Sequence, residues 1–213
     1  MSAVEDSKDL VVLAADKDME HAVKGILGRW KSLQIRELTW DIFVHPNRDP
    51  GCLLEAHEFL RDHSGRYRRA IIMLDRDGCG KESSGASAIE SGIEERLRNT
   101  GWDGRCAAIA LVPELEAWVW SDSSEVPRVL GWAGVQPQLR DQLIAQGLLE
   151  PNHLKPVDPK RALEFALKRV KIPRSASIYH QIACSVSLSR CEDPAFNKFK
   201  TTLQSWFPVG SED

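Results

Sequence analysis

Cysteine is scarce in this chain, with five in 213 residues. Cys52, Cys79, Cys106, Cys184 and Cys191 are odd in number and contain no CxxC pair. That spacing argues against a disulfide framework and a zinc knuckle, and it fits reduced thiols. Long apolar runs are missing as well; none approaches the roughly 20 residues that span a bilayer. The first residues, MSAVEDSKD, are acidic where a leader peptide would be basic. The expectation is a soluble cytoplasmic protein with no membrane partner. A net charge of −3 and a pI near 6.1 exclude a globally basic nucleic-acid coat, though not a local basic groove. No GxGxxG follows the first apolar run, so a dinucleotide site is unsupported. Gly80-Lys81 fails as a phosphate loop, with Asp75 and Glu82 standing where glycine and Ser or Thr belong. The six histidines, among them His45, His57 and His153, lack paired metal spacing. No internal repeat or low-complexity tract occurs.

What is present is 42% hydrophobic content, enough for one domain with a proper core. Residues 69–81, RAIIMLDRDGCGK, organise the rest. Ile71 to Leu74 read as a strand buried on both faces, the pattern of a parallel sheet. Asp75, Asp77 and a glycine turn follow at its carboxyl end, where open α/β sheets bind ligands. Two carboxylates one residue apart at such an end are a candidate Mg²⁺ or Mn²⁺ site. The competing explanation is that turns favour Asp and Gly anyway.

Three further apolar runs read as strands: 9–15, 37–44 and 105–112. Helices are expected between them, over 21–33 with Asp18 as its N-cap, over 53–60, and over 89–97. A last helix start is expected at Pro113, with Glu114 and Glu116 in its first turn. This alternation predicts an α/β fold with a mostly parallel sheet of four or slightly more strands, flanked by helices. Residues 1–120 form that core, and 121–213 form a helical lobe packed on it within one domain. Trp30, Trp40 and Trp118 are expected in the core, while Trp120, Trp132 and Trp206 are available to a partner surface.

Three strand ends therefore carry acids: Asp16 with Glu20, Asp75 with Asp77, and Glu114 with Glu116. If strands one, three and four are neighbours, these acids meet on one rim, and their repulsion calls for cations or raised pKa values. Acidic first turns are common, so Asp18 and Glu116 read first as helix-start residues.

With these residues the chain resembles the Toprim family, in particular small stand-alone, RloB-type and OLD-type Toprim-like proteins of bacterial defence systems. Asp75-Arg76-Asp77 looks like that family's DxD, Asp16-Lys17-Asp18-Met19-Glu20 stands at its first acidic motif, and VPELEAWVWSD resembles its Glu-x-x-Trp stretch. Two departures stand out: Asp16 is shorter than the family's glutamate, and Lys17 replaces its glycine. The resemblance covers about residues 9–120, with a looser likeness at Pro159-Lys160. It implies Mg²⁺-dependent phosphodiester cleavage. Asp16, Asp75, Asp77 and Glu114 (or Glu116) would be the metal ligands, Glu20 and Glu114 a second ligand set or base, and Lys160 the phosphate-neutralising cation. DNA ranks ahead of RNA as substrate, and a protein partner within a defence complex is implied.

The rival readings are a catalytically degenerate Toprim-like scaffold subunit and a haloacid-dehalogenase-like phosphatase with Asp75 as nucleophile. Against the latter, Cys79 replaces threonine, the motif lies late in the chain, and no Gly-Asp-x-x-x-Asp follows. For nucleic-acid contact, Arg66, Arg68 and Arg69 form one basic cluster. Lys160, Arg161, Lys168 and Lys171 form another, with Arg161, Lys168 and Lys171 expected along one helix face.

Overall fold

The computed structural model describes residues 7–210. The first six residues of the acidic start, on which the leader expectation bears, and the last three of the helical extension lie outside them. Four strands, β1 (Lys8–Ala14), β2 (Trp40–Val44), β3 (Tyr67–Asp75) and β4 (Cys106–Leu111), form one parallel sheet in the order β2-β1-β3-β4. The α/β class is as the sequence predicts, and strands one, three and four are neighbours, which is the condition for their acids to meet. Leu10 through Ala14 and Ala70 through Leu74 are all essentially inaccessible to solvent. Successive side chains point to opposite faces, so both faces of these strands must be covered.

The helices are α1 (Lys17–Leu27), α2 (Trp30–Leu33), α3 (Arg48–Leu54), α4 (Ala56–Phe59), α5 (Ala86–Leu97) and α6 (Glu116–Val119). They continue with α7 (Glu125–Val129), α8 (Leu139–Ala145), α9 (Pro159–Val170), α10 (Ala176–Ser185) and α11 (Pro194–Trp206). One packed group is α3, α4 and α5, which rest on one another and on β1, β3 and β4. The other is α1, α2, α10 and α11, which reach β1, β2 and β4. Helices α10 and α11 of the lobe thus share one cover of the sheet with α1 and α2.

The closest helix pair is α1 with α10. Gly25 makes it possible: a Cβ there would sit 2.7 Å from Ala183 Cβ and 2.9 Å from the His180 carbonyl oxygen. Helix α1 presents Met19, Ala22, Val23, Ile26 and Leu27 to the core, the i, i+3, i+4, i+7, i+8 pattern of an amphipathic helix. It starts earlier than its apolar periodicity suggests. Asp16, in extended conformation, is the N-cap in place of Asp18, and accepts a hydrogen bond from Met19 N at 2.8 Å.

Other boundaries also differ. The Val112–Pro113 peptide is cis, and the helix expected from Pro113 begins at Glu116. The 53–60 helix is two short ones, α3 and α4, with Arg48 already helical. Trp120 and Trp132, assigned to a partner surface, are buried instead. Their indole N–H groups donate to the carbonyls of Pro159 at 2.9 Å and Ala166 at 3.1 Å, which ties α9 into the molecule. Trp30, Trp40 and Trp118 are only half-buried against the core, and Trp206 carries Arg69 over its ring. The fully buried indole is Trp102.

Candidate functional site

Every strand of the sheet ends, or is soon followed, by an acid. Asp16 follows β1, Asp49 lies at the start of α3 beyond β2, Asp75 is the last residue of β3, and Glu114 and Glu116 follow β4. Parallel strands put all of these at the same rim. They line a cleft of about 700 Å³ together with Asp18, His45, Asp77, Lys160 and Arg174. That volume lies in the range of ligand sites. A smaller apolar pocket of about 40 Å³, bordered by Trp118, Tyr179 and Phe196, has space for little more than a water or two.

The acids brace one another's backbones. Asp49 Oδ1 accepts the Asp75 N–H at 2.7 Å, and Asp75 Oδ1 accepts the Leu115 N–H at 2.9 Å. The second bond pulls the Glu114–Glu116 segment over the end of β3. As a result Asp75, Glu114 and Glu116 each offer a carboxylate oxygen, all within 4.8 Å of one another. Divalent metal–oxygen bonds of about 2.1 Å place the ligands of one ion within such a span.

The electrostatics follow from crowding. Burial pushes the Asp75 carboxyl well above its ordinary range, and Asp49, Glu116, Asp16 and Glu114 push it further. Asp49 is raised by burial and then by Asp16. Glu114 is raised by burial and by Glu116, which together outweigh the 2.9 Å ion pair with Lys160. That pair in turn holds Lys160 above its ordinary value. Glu116 is the most enclosed member, with 2% of its side chain exposed. It receives the Tyr179 hydroxyl at 2.7 Å and pairs with Arg174 at 2.7 Å.

Several expected site residues sit elsewhere. Glu20 is one turn further along α1, clamped by Lys17 and Lys24 at 2.6 Å each. Burial raises its carboxyl, but those hydrogen bonds prevail and hold it below its ordinary value. It does not border the cleft. Asp77 reaches the cleft's edge but is exposed, paired with Arg76 at 3.1 Å, and stands apart from the three-carboxylate group. Asp16 borders the cleft while its Oδ1 is engaged as the α1 cap.

The basic residues divide in the same way. Lys160 opens α9 inside the cleft. Arg161 and Lys168 share an exposed face of α9, whereas Lys171 caps the helix in a left-handed conformation and leaves that stripe. Arg66, Arg68 and Arg69 lie at the amino end of β3. Nine residues of strand, about 26 Å at 3.3 Å per step, separate that end from Asp75.

Sequence reasoning overlooked Asp49 and Tyr179, gave Arg174 no place in the cleft, and read Glu116 first as a helix-start residue. For Asp49 a signal existed: it is the acid that follows the one remaining strand. The geometry defines an acid-rich cleft at the carboxyl rim of a parallel α/β sheet, bordered by four cations, Lys17, Arg48, Lys160 and Arg174. Comparison with family models, with curated proteins and with solved structures finds no match for the chain.

Proposed function

We propose that the cleft binds a divalent cation, Mg²⁺ or Mn²⁺, and that the protein is a phosphodiester-cleaving enzyme acting on nucleic acid, DNA ahead of RNA. The observation that carries this reading is the gathering of Asp75, Glu114 and Glu116 oxygens within 4.8 Å. An all-oxygen donor set suits these hard ions rather than zinc or copper. The raised Asp75, Asp49 and Glu114 carboxyls are the strain that an added positive charge relieves. Bound there, the ion would neutralise the phosphate and lower the pKa of an attacking water.

The chain's own residues have separate tasks. Asp75, Glu114 and Glu116 hold the ion, and Asp49 and Tyr179 fix two of those three in place. Lys160 and Arg174 stand on the cleft's border, where an anionic substrate needs positive charge. The placement of Asp77 disfavours the phosphatase alternative, since the acid–base partner of an Asp75 nucleophile would have to turn away from Arg76.

A second reading, a catalytically silent binding subunit, is favoured by one observation: Lys160 and Arg174 already pair with Glu114 and Glu116. A defence-system setting and a protein partner follow from the resemblance alone. Incubating supercoiled plasmid with the protein and Mn²⁺, with Asp75→Asn as control, separates the two. Nicking by the wild type that Asp75→Asn lacks is the expected result, and equal nicking by both would dispose of the cleft as the active site.

A further inference from the structure

Two of the four cations that border the cleft, Lys160 and Arg174, come from the helical lobe, and each is committed to a carboxylate of the cluster. Lys160 Nζ is 2.9 Å from Glu114 Oε2, and Arg174 Nη2 is 2.7 Å from Glu116 Oε1. Arg174 and the Tyr179 hydroxyl both take Glu116 Oε1, so a divalent ion on that carboxylate would lie within a few ångströms of the guanidinium and repel it, even from the other oxygen. The less firmly held of the guanidinium and the carboxylate yields when the ion enters. Exposure decides which. Glu116 is 2% exposed and held by the Tyr179 hydroxyl, whereas the Arg174 side chain is 33% exposed.

Arg174 also has a second anchor. Its guanidinium donates to Asp18 Oδ2 at 2.8 Å and lies 5.5 Å from the centre of the Tyr179 ring. Asp18 borders the cleft as well. A guanidinium that releases Glu116 but keeps Asp18 therefore stays at the cleft mouth, charged and with donors to spare.

Building on the cation-binding reading of the cleft, we propose that Arg174 is an exchangeable counter-cation. It neutralises Glu116 in the metal-free protein, yields that carboxylate to the incoming divalent ion, and turns about Asp18 to meet a phosphate oxygen of the substrate. Lys160 makes the same exchange at Glu114. The residue is a positioning and binding group whose two partners are occupied in succession. No bond is made or broken in the exchange.

Titration calorimetry of MnCl₂ into the full-length protein tests this without reference to turnover. Arg174→Met removes the competing charge, so Mn²⁺ affinity is expected to rise about tenfold or more. Inorganic phosphate binding to the Mn²⁺-loaded protein is expected to weaken by a similar factor. Tyr179→Phe removes the brace on Glu116 without changing charge, and its Mn²⁺ affinity is expected to fall. Arg174→Lys keeps the charge and gives the Met variant's direction at smaller size, which covers a Met variant that does not fold. Weaker Mn²⁺ binding by Arg174→Met would mean that Arg174 only holds Glu116 in place, and the exchange would be overturned. So would unchanged Mn²⁺ or phosphate binding. If neither wild type nor the Lys160→Met/Arg174→Met double variant takes up Mn²⁺, the cation-binding reading itself fails.

Discussion

The two rims of the sheet handle acids in opposite ways. At the amino rim Asp9 is 7% exposed, yet every demand of its carboxylate is met. Arg36 embraces both oxygens, and the Thr39 N–H and hydroxyl add bonds at 2.8 and 3.0 Å. Burial raises its carboxyl, but Arg36 and Thr39 more than reverse that, and it lies below its ordinary value. Asp41 is likewise lowered, since Lys8 and Tyr67 outweigh its burial. At the carboxyl rim, Asp75 receives one backbone N–H and faces four other acids. A fold that can satisfy buried acids so completely at one end has left them crowded at the other. Structural acids lower their own energy, and acids kept for a ligand wait for it.

The largest effect that would break this contrast is at Asp75. Replacing it with Asn keeps an acceptor for the Leu115 N–H and removes the charge. Plasmid cleavage is expected to fall on the order of a thousandfold, with loss of Mn²⁺ binding, while the metal-free melting temperature rises. A lower melting temperature would show that the acid supports the fold instead.

Next comes the mirror experiment. Asp9→Asn takes away the charge that strengthens the Arg36 and Thr39 hydrogen bonds and is expected to cost about 2 kcal/mol in urea unfolding, with Mn²⁺ affinity unchanged. The rims would not be independent if metal binding followed.

The pH dependence has a smaller, signed expectation. A carboxyl raised in the folded state binds more protons there than in the unfolded chain, so stability falls as pH rises from the ordinary carboxylate range to the raised value. For Asp75, Asp49 and Glu114 this means that the metal-free protein melts higher near pH 5 than near pH 8. Saturating Mn²⁺ should flatten that slope. Asp9, lowered in the fold, loses its contribution only as pH drops below the ordinary carboxylate range. His45, lowered by burial, acts in the opposite sense between about pH 5 and 8, so the share of the raised carboxyls is the difference between wild-type and Asp75→Asn melts across that window. The smallest effect belongs to Arg66→Gln with Arg68→Gln, at the far rim. Cleavage is expected to change by less than about twofold, against a much larger loss for Lys160→Met.

The layout of the fold was open to reading because buried parallel strands announce themselves as unbroken apolar runs. Ile71 to Leu74 is the plainest case, and its neighbours followed from alternation with helices. The rim was half legible. Asp75 and Glu114 could be found from strand ends alone, but side-chain direction could not. Glu20 lies four residues beyond Asp16, one turn of about 5.4 Å up the helix, and two lysines claim it there. Glu116 looked like an ordinary helix-start acid until Tyr179, 63 positions later, reached it. Asp49 was hidden by a helix that begins where Pro46 and Pro50 suggested a loop. Arg174 sits between α9 and α10, at the end of a basic stretch in which no local pattern singles it out. Long-range partners, not local propensity, select these residues.

The missing side chain at Gly25 reaches further than its own contact. Helix α1 is capped by Asp16, and α10 closely follows Arg174 and carries Tyr179, so the two helices meet at the cleft, where Arg174 holds Asp18 at 2.8 Å. Their backbones are clasped at Gly25, about 13 Å down α1 from its cap. That clasp acts as a pivot pin, and the Arg174–Asp18 pair at the rim depends on how closely the shafts meet there. One methyl group inserted at the pin would force the shafts apart and strain that pair, although it touches neither residue.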